Sequence, residues 1–177
     1  MGEVTPLPIP IRGGPDYKRP TALNAAHDVS KFFCGHASLD DWLKNQALKS
    51  EGRSSRTYVV CDDTQVIGYY CIATGAVARE DAPKALRRNT PDPIPIAIIG
   101  RLAVAKHCER QGIGSGMLQD AFMRILQISE SIGCRAVLVH AIDQNAMDFY
   151  TKSGFIEFPA GTKTLFLPLD TIARALG

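Results

Sequence analysis

Apolar positions along the chain change their period several times, and each change predicts an element. Leu39, Trp42, Leu43, Ala47 and Leu48 recur at helical spacing, so a helix is expected over residues 38–50. Ser38 would be its N-cap, Asp40 and Asp41 would sit in its first turn, and Gly52 would end it. Residues 28–33 read as a short element before it. The runs 57–61 and 66–73 read as strands joined in a hairpin by Asp62-Asp63-Thr64, and Val77 extends the pairing. Residues 79–95 form a long connection holding Pro83, Pro91, Pro93 and Pro95, with a helical turn over 83–88. A strand over 96–104 enters a glycine-rich turn. A helix opens at Met117 and runs to about 132, with Met117, Leu118, Ala121, Ile125 and Ile128 on one face. The apolar run 136–141 predicts a strand buried on both faces. A short helix over 145–152, capped by Asn145 and ended by Gly154, precedes strands at 155–158 and 164–169. The order is β-rich first, then β–α–β–α–β. It predicts an α/β fold, with a mixed sheet and helices on both faces.

Composition narrows the classes. A chain of 177 residues has the length of one domain. Prolines at 6, 8, 10, 15 and 20 and glycines at 13 and 14 make residues 1–20 an extended lead-in, leaving 21–177 as the single folded domain. A net charge of +2 does not indicate a wholly basic nucleic-acid binder. Basic residues do cluster at Lys44, Lys49, Arg53 and Arg56, and again at Arg79, Lys84, Arg87 and Arg88. Each cluster reads either as a phosphate-contacting patch or as a solvated face. No apolar run reaches the roughly 18 residues of a membrane span, and the N-terminus has no signal-peptide layout, so a cytoplasmic protein with no membrane partner is expected. The five cysteines are odd in number and scattered, as reduced core thiols would be. Neither Cys34-Gly-His36 nor His107-Cys108 has zinc spacing, and no metal is expected.

The densest chemistry lies between Ile98 and Gly116. Glycines at 112, 114 and 116 follow a strand and open a helix. Unpaired amides at a helix N-terminus, backed by the positive end of the dipole, suit a pyrophosphate. No Gly-Lys-Ser/Thr follows, so this is not a P-loop. Glu130 stands near the offset of a dinucleotide fingerprint's acid, but no second mononucleotide half follows. A strand-to-helix turn with glycines for packing is the plainer alternative.

Three segments together are more specific than any one. They are Arg101-Leu102-Ala103-Val104, Gly112-Ile113-Gly114-Ser115-Gly116, and Asn145-Ala146-Met147-Asp148-Phe149-Tyr150 with Gly154-Phe155 after it. In this order the chain resembles the Gcn5-related N-acetyltransferases (GNAT). The resemblance implies a central, mostly antiparallel sheet with a splayed parallel pair at an acetyl-CoA site. Leu102, Ala103 and Val104 would offer backbone groups to the pantetheine of acetyl-CoA. Arg110, Gln111, Gly112, Ile113, Gly114, Ser115 and Gly116 would hold the pyrophosphate, with Asn145 and Tyr150 also at the cofactor. Tyr150 would be catalytic, as proton donor to the CoA thiolate, and the Val104 N–H would bind the oxyanion.

Further segments resemble one subgroup, the acetyltransferase toxins of type II toxin–antitoxin modules. They include Phe33-Cys34-Gly35, Leu39-Asp40-Asp41-Trp42-Leu43, Ser55-Arg56-Thr57-Tyr58-Val59, Leu86-Arg87-Arg88-Asn89, Pro93-Ile94-Pro95, Val139-His140-Ala141 and Phe149-Tyr150. That resemblance runs from about residue 22 to about 170. It implies transfer of acetyl to the α-amino group of aminoacyl-tRNA, and so a block of translation. It also implies a homodimer, a ribbon-helix-helix antitoxin, and operator DNA met only through the antitoxin complex. One departure stands out. Glu109 occupies the position where the family usually has Gln or Arg, if Gly112 and Gly114 are aligned. A carboxylate there would repel a pyrophosphate. Either it points away, or the motif starts at Gln111 instead.

Some residues keep two readings. Arg56 contacts substrate phosphate or is a solvated strand end. Arg101 faces RNA or is held in a structural salt bridge. His140 is a base or a hydrogen-bonded core histidine. Arg87 and Arg88 contact the RNA or an acidic antitoxin segment. The competing activities are acetylation of a small amine or protein amine, and a non-catalytic acetyl-CoA-binding module.

Overall fold

The computed structural model describes residues 17–158 and 162–177, so most of the expected lead-in lies outside the described residues. The chain divides into two compact units. Among the described residues, one comprises 17–73 together with 99–121. The other comprises 74–98 and 122–177.

The first unit holds β1 (Thr21–Ala22), α1 (Ala37–Asn45), α2 (Ala47–Ser50) and β2 (Arg56–Asp62), with most of β3 (Gln65–Val77). The end of β4 (Ile94–Val104) and the first turns of α4 (Ile113–Ser129) complete it. The hairpin forms as expected. Asp62 pairs with Gln65, leaving Asp63-Thr64 as a two-residue turn, and Asp63 takes the left-handed conformation that Asp tolerates (φ 56°). β3 also extends through Val77. Other expectations change. The single helix over 38–50 breaks at Gln46, and its N-cap position is His36, with no side-chain cap bond, rather than Ser38. Asp40 instead turns inward and accepts the Cys34 N–H at 2.9 Å. Residues 28–33 form no regular element. Asp28 bridges to Gln65 and caps its own turn through the Ser30 N–H.

Residues 66–72 of β3 are all buried, so this stretch is covered on both faces. Gly68 allows one of those contacts. A Cβ there would stand 3.1 Å from Met117 Sδ and 3.2 Å from Ile113 Cγ2. The first turns of α4 therefore rest directly on the β3 backbone. Gly68→Val should push them off and cost about 1–3 kcal/mol by overpacking. A thermal melt measures that cost.

The second unit contains the end of β3, α3 (Lys84–Arg87), the start of β4, the rest of α4, β5 (Ala136–His140) and α5 (Gln144–Lys152). β6 (Ile156–Glu157), β7 (Thr164–Pro168) and α6 (Leu169–Leu176) follow. The first of the last two strands is shorter than expected. α6 was not expected at all, because Leu169 reads as the end of the strand. Pro168 stops β7, and the Leu169 N–H donates to Arg135 O at 3.0 Å. The core here is built from Ala82, Leu86, Ile94, Ile96, Ala136, Leu138 and Phe166. Ala82 and Leu86 belong to the long connection, so that loop is anchored by its own apolar side chains.

Strand order in the seven-stranded sheet is β1-β2-β3-β4-β5-β7-β6. β1/β2, β2/β3, β5/β7 and β6/β7 are antiparallel. The sheet has one parallel pair. The chain leaves β4 through α4 and returns as β5, the connection a parallel pair requires. The Arg135 N–H bonds to Pro95 O at 2.9 Å, which brings the starts of β4 and β5 side by side.

Candidate active site

The glycine turn follows β4 through a short 3₁₀ turn, Lys106–Cys108. Arg110 (φ 62°) and Gly112 (φ 81°) both take the left-handed conformation. Backbone of this kind makes concave, amide-lined anion sites. α4 then opens at Ile113, not at Met117, because the Gly116 N–H already reaches Gly112 O at 3.0 Å. The amides of Ile113, Gly114 and Ser115 precede that bond, so helix geometry gives them no intrahelical acceptor. Gly114, Ser115 and Gly116 are half-buried, and no acidic residue stands in the first turn. These features fit a pyrophosphate. Starting the helix at Ile113 puts Gly112 directly before it. Glu109 lies outside the helix and pairs with Lys106 at 3.6 Å. Its charge is thereby met by a neighbouring cation. Gln111 accepts a hydrogen bond from the Tyr17 hydroxyl at 3.2 Å.

On β4, Ala103 is buried while Leu102 and Val104 are half-buried. Among the described residues, Arg101 is not held in the structural salt bridge that is one of its two readings. Its guanidinium lies 4.2 Å from the centre of the Trp42 ring, a cation–π contact. Among the described residues it makes no ion pair, so its charge is not neutralised. Trp42 in turn stacks on Tyr69, whose hydroxyl donates to Leu39 O at 2.7 Å. Arg56 is exposed, but it pairs with Glu51 at 3.5 Å and folds over Gly52. The same glutamate accepts the Thr57 N–H at 2.8 Å. Arg56 thus braces the start of β2.

The buried Asp120 of α4 accepts from Tyr70 Oη and, at 2.7 Å, from Arg19 Nε. Sequence reasoning missed this pair of contacts, because Arg19 lies in the segment read as lead-in. The cysteines are free thiols. Burial pushes the Cys34 thiol up to about 11, with nearby Asp40 adding to the shift, and burial raises Cys61, Cys71, Cys108 and Cys134 too. A thiol titrating there is only about one-thousandth thiolate near pH 8. Iodoacetamide should therefore label Cys34 in the native protein far more slowly than in the unfolded chain. Fast native labelling, read by peptide mass spectrometry, would contradict that burial.

In the second unit, α5 is capped by Asp143, whose carboxylate accepts the Ala146 N–H at 2.9 Å. Asn145, expected to be the cap, sits exposed inside the helix. The other end of α5 is closed by Gly154 (φ 97°), and the Phe155 N–H donates back to Tyr150 O at 3.1 Å. Tyr150 is 6% exposed. Its ring meets Phe149 and Phe155 edge-on at 5.2 and 5.3 Å. Backbone and ring are both held, which suits a group that must present one hydroxyl. His140 is not a core histidine. It is exposed, with Nδ1 2.9 Å from Thr164 Oγ1.

The basic loop is more ordered than its prolines suggested. Arg87 donates to Ala82 O at 2.6 Å and to Glu80 O at 2.9 Å, and Arg79 donates to Arg87 O at 3.0 Å. These bonds brace the loop with guanidinium groups but do not cancel their charge. Lys84 and Arg88 are exposed and, among the described residues, unpaired.

Residues 53–157 match the family model described as an acetyltransferase (GNAT) domain. Over 161 residues the chain is 42% identical to the tRNA-acetylating toxin of Mycobacterium tuberculosis (strain ATCC 25618 / H37Rv), covering 90% of this chain and 96% of that protein. The chain belongs to the GNAT acetyltransferase family. Solved GNAT toxins share its shape. AtaT complexed with acetyl-methionyl-tRNAfMet matches with a TM-score of 0.83 at 26% identity, over 92% of this chain and all of that one. A Tyr-to-Phe mutant of AtaT, bound to acetyl-CoA and the C-terminus of the antitoxin AtaR, matches with a TM-score of 0.77 at 25% identity, over 90% of this chain and 97% of that one. The GNAT match contains both the α4 turn and Tyr150. The non-catalytic alternative therefore gives way to an acetyltransferase.

Proposed function

We propose that this GNAT chain is a toxin that transfers acetyl from acetyl-CoA to the α-amino group of aminoacyl-tRNA. Transfer blocks translation, and a cognate antitoxin neutralises the enzyme. The identity to a tRNA-acetylating toxin, 42% over 90% of the chain, carries the reading. The cations that stay unneutralised at Lys84, Arg88 and Arg101 agree with a polyanionic acceptor. Residues 21–177 work as one acetyltransferase domain. The partner is a ribbon-helix-helix antitoxin, and operator DNA is met only through that complex. The active species is a homodimer in the cytoplasm. Among the described residues no helix is long and apolar enough to cross a membrane.

The chemistry asks little of a base. An α-amine titrates at about 7.7–8.0, so a useful fraction is neutral near pH 7. The neutral nitrogen attacks the thioester carbonyl, and the charge moves to the carbonyl oxygen. The Val104 N–H receives that oxyanion. The intermediate then collapses: the C–N bond stays, the C–S bond breaks, and the nitrogen gives its proton to water, which in turn restores the proton that Tyr150 gives up. Tyr150 gives its hydroxyl proton to the departing thiolate. The amides of Ile113, Gly114 and Ser115 hold the pyrophosphate. Arg110, Gln111 and Asn145 line the same cofactor. Arg56, Arg87, Arg88 and Arg101 supply charge to the RNA, with Arg56 and Arg87 doing so while bracing their own segments.

The test is transfer of labelled acetyl from acetyl-CoA to total tRNA, either charged or deacylated. The reading expects label on charged tRNA only. Label on polyamines or protein amines with none on charged tRNA would overturn it.

A further inference from the structure

Phe32 and Phe33 are adjacent and have opposite fates. Phe32 is 1% exposed and meets the Tyr69 ring edge-on, while Phe33 is 60% exposed. A lone exposed apolar residue needs no explanation. Here the backbone around it is tied on both sides. Phe33 O accepts the Lys106 N–H at 2.8 Å, and the next residue, Cys34, donates to the buried Asp40 at 2.9 Å. Gly35 then turns the chain in the left-handed region (φ 93°). The ring is therefore held outward by a fixed loop.

Its neighbours are cationic. Lys31 and Lys106 are exposed, and Lys106 lies along Gly35 with Nζ 3.8 Å from where a Cβ would stand. Lys106 is shared with Glu109 at 3.6 Å, and the exposed Lys31 lies near the Asp28 carboxylate, whose pKa is lowered by the Ser30 hydrogen bonds and, to a lesser degree, by this lysine. Position adds to chemistry. The bond at Lys106 ties Phe33 to the chain two residues after Val104.

An aromatic face among cations is the chemistry that binds unpaired nucleotides: the base stacks and the phosphates find the charges. We infer that Phe33 is a stacking platform for an unpaired base at the acceptor end of the charged RNA, with the exposed Lys31 and Lys106 beside it for the phosphates. This rests on the function proposed above. The platform would hold the aminoacyl end beside the donor and would not discriminate strongly among sequences, because every base has a π face.

Steady-state kinetics of the full-length enzyme tests the inference with charged tRNA, using Phe33→Ala and Phe33→Trp. Phe33→Ala should raise the KM for charged tRNA by about tenfold to a hundredfold. The kcat at saturation and the KM for acetyl-CoA should stay put, and Phe33→Trp should restore the KM. An unchanged KM for charged tRNA in an active Phe33→Ala enzyme would overturn the platform alone. So would a rise in the KM for acetyl-CoA, which would assign the ring to the donor. A loss confined to antitoxin affinity would assign it to a protein partner instead. If the wild type transfers nothing to charged tRNA, the proposed function and the platform fall together.

Discussion

Tyr150→Phe should leave the protein folded and slow acetyl transfer by about 10²–10⁴-fold. The two halves of that expectation have separate causes. The fold should persist because phenylalanine keeps the edge-on ring contacts with Phe149 and Phe155. The backbone closure at Gly154 does not involve the side chain. The chemistry does not tolerate the change, because a departing thiolate would leave without a proton. Single-turnover rates with charged tRNA measure the loss, and a thermal melt checks that the fold persists. A variant that transfers acetyl as fast as the wild type would remove Tyr150 from the mechanism.

Ser115→Asp should strip the enzyme of its acetyl donor while stabilising the protein slightly. Ser115 is half-buried in the first turn of α4, where the helix dipole favours a carboxylate by about 0.3–1 kcal/mol. The same carboxylate would stand against a pyrophosphate. Two like charges about 4 Å apart repel by about 4 kcal/mol at an effective dielectric of 20, which is on the order of a thousandfold in affinity. Opposite signs in the melt and in acetyl-CoA binding are the signature of an anion site at a helix start. Isothermal titration with acetyl-CoA reads the second. Ser115→Ala, which adds no charge, should bind nearly as the wild type does. Equal acetyl-CoA affinity in Ser115→Asp and wild type would mean that the turn is there for packing.

Much of this architecture can be read from the chain, and the misses have physical reasons. Periodicity located the hairpin, the long α4 and the buried β5, because each has a sustained apolar pattern. It misplaced the start of α4 because three glycines in a row of alternate positions look like a turn to the end. Only the Gly116 N–H bond to Gly112 O reveals that the helix has already begun at Ile113. Asn145 reads as the cap that Asp143 in fact supplies because both residue types cap well, and the choice depends on which backbone is extended. α6 was hidden by a proline and a leucine that continue the strand pattern. The glycine turn and the Tyr150 segment stand out as motifs because alternate glycines and a short capped helix leave a local imprint in the sequence. The tie of Asp120 to Arg19 and Tyr70, and the stacking of Arg101 on Trp42, join residues far apart in the chain. No local pattern encodes them. The internal use of Arg87 was equally invisible, since a charged residue in a loop reads as solvated until its carbonyl partners are seen.

The account stands or falls on the acceptor atom. The measurement is mass spectrometry of the amino acid released by mild alkali from charged tRNA after incubation with the enzyme and acetyl-CoA. The account predicts that the released amino acid carries one acetyl group on its α-nitrogen, and that Tyr150→Phe abolishes it. Acetyl retained by the RNA after deacylation, or found only on other amines, would contradict it.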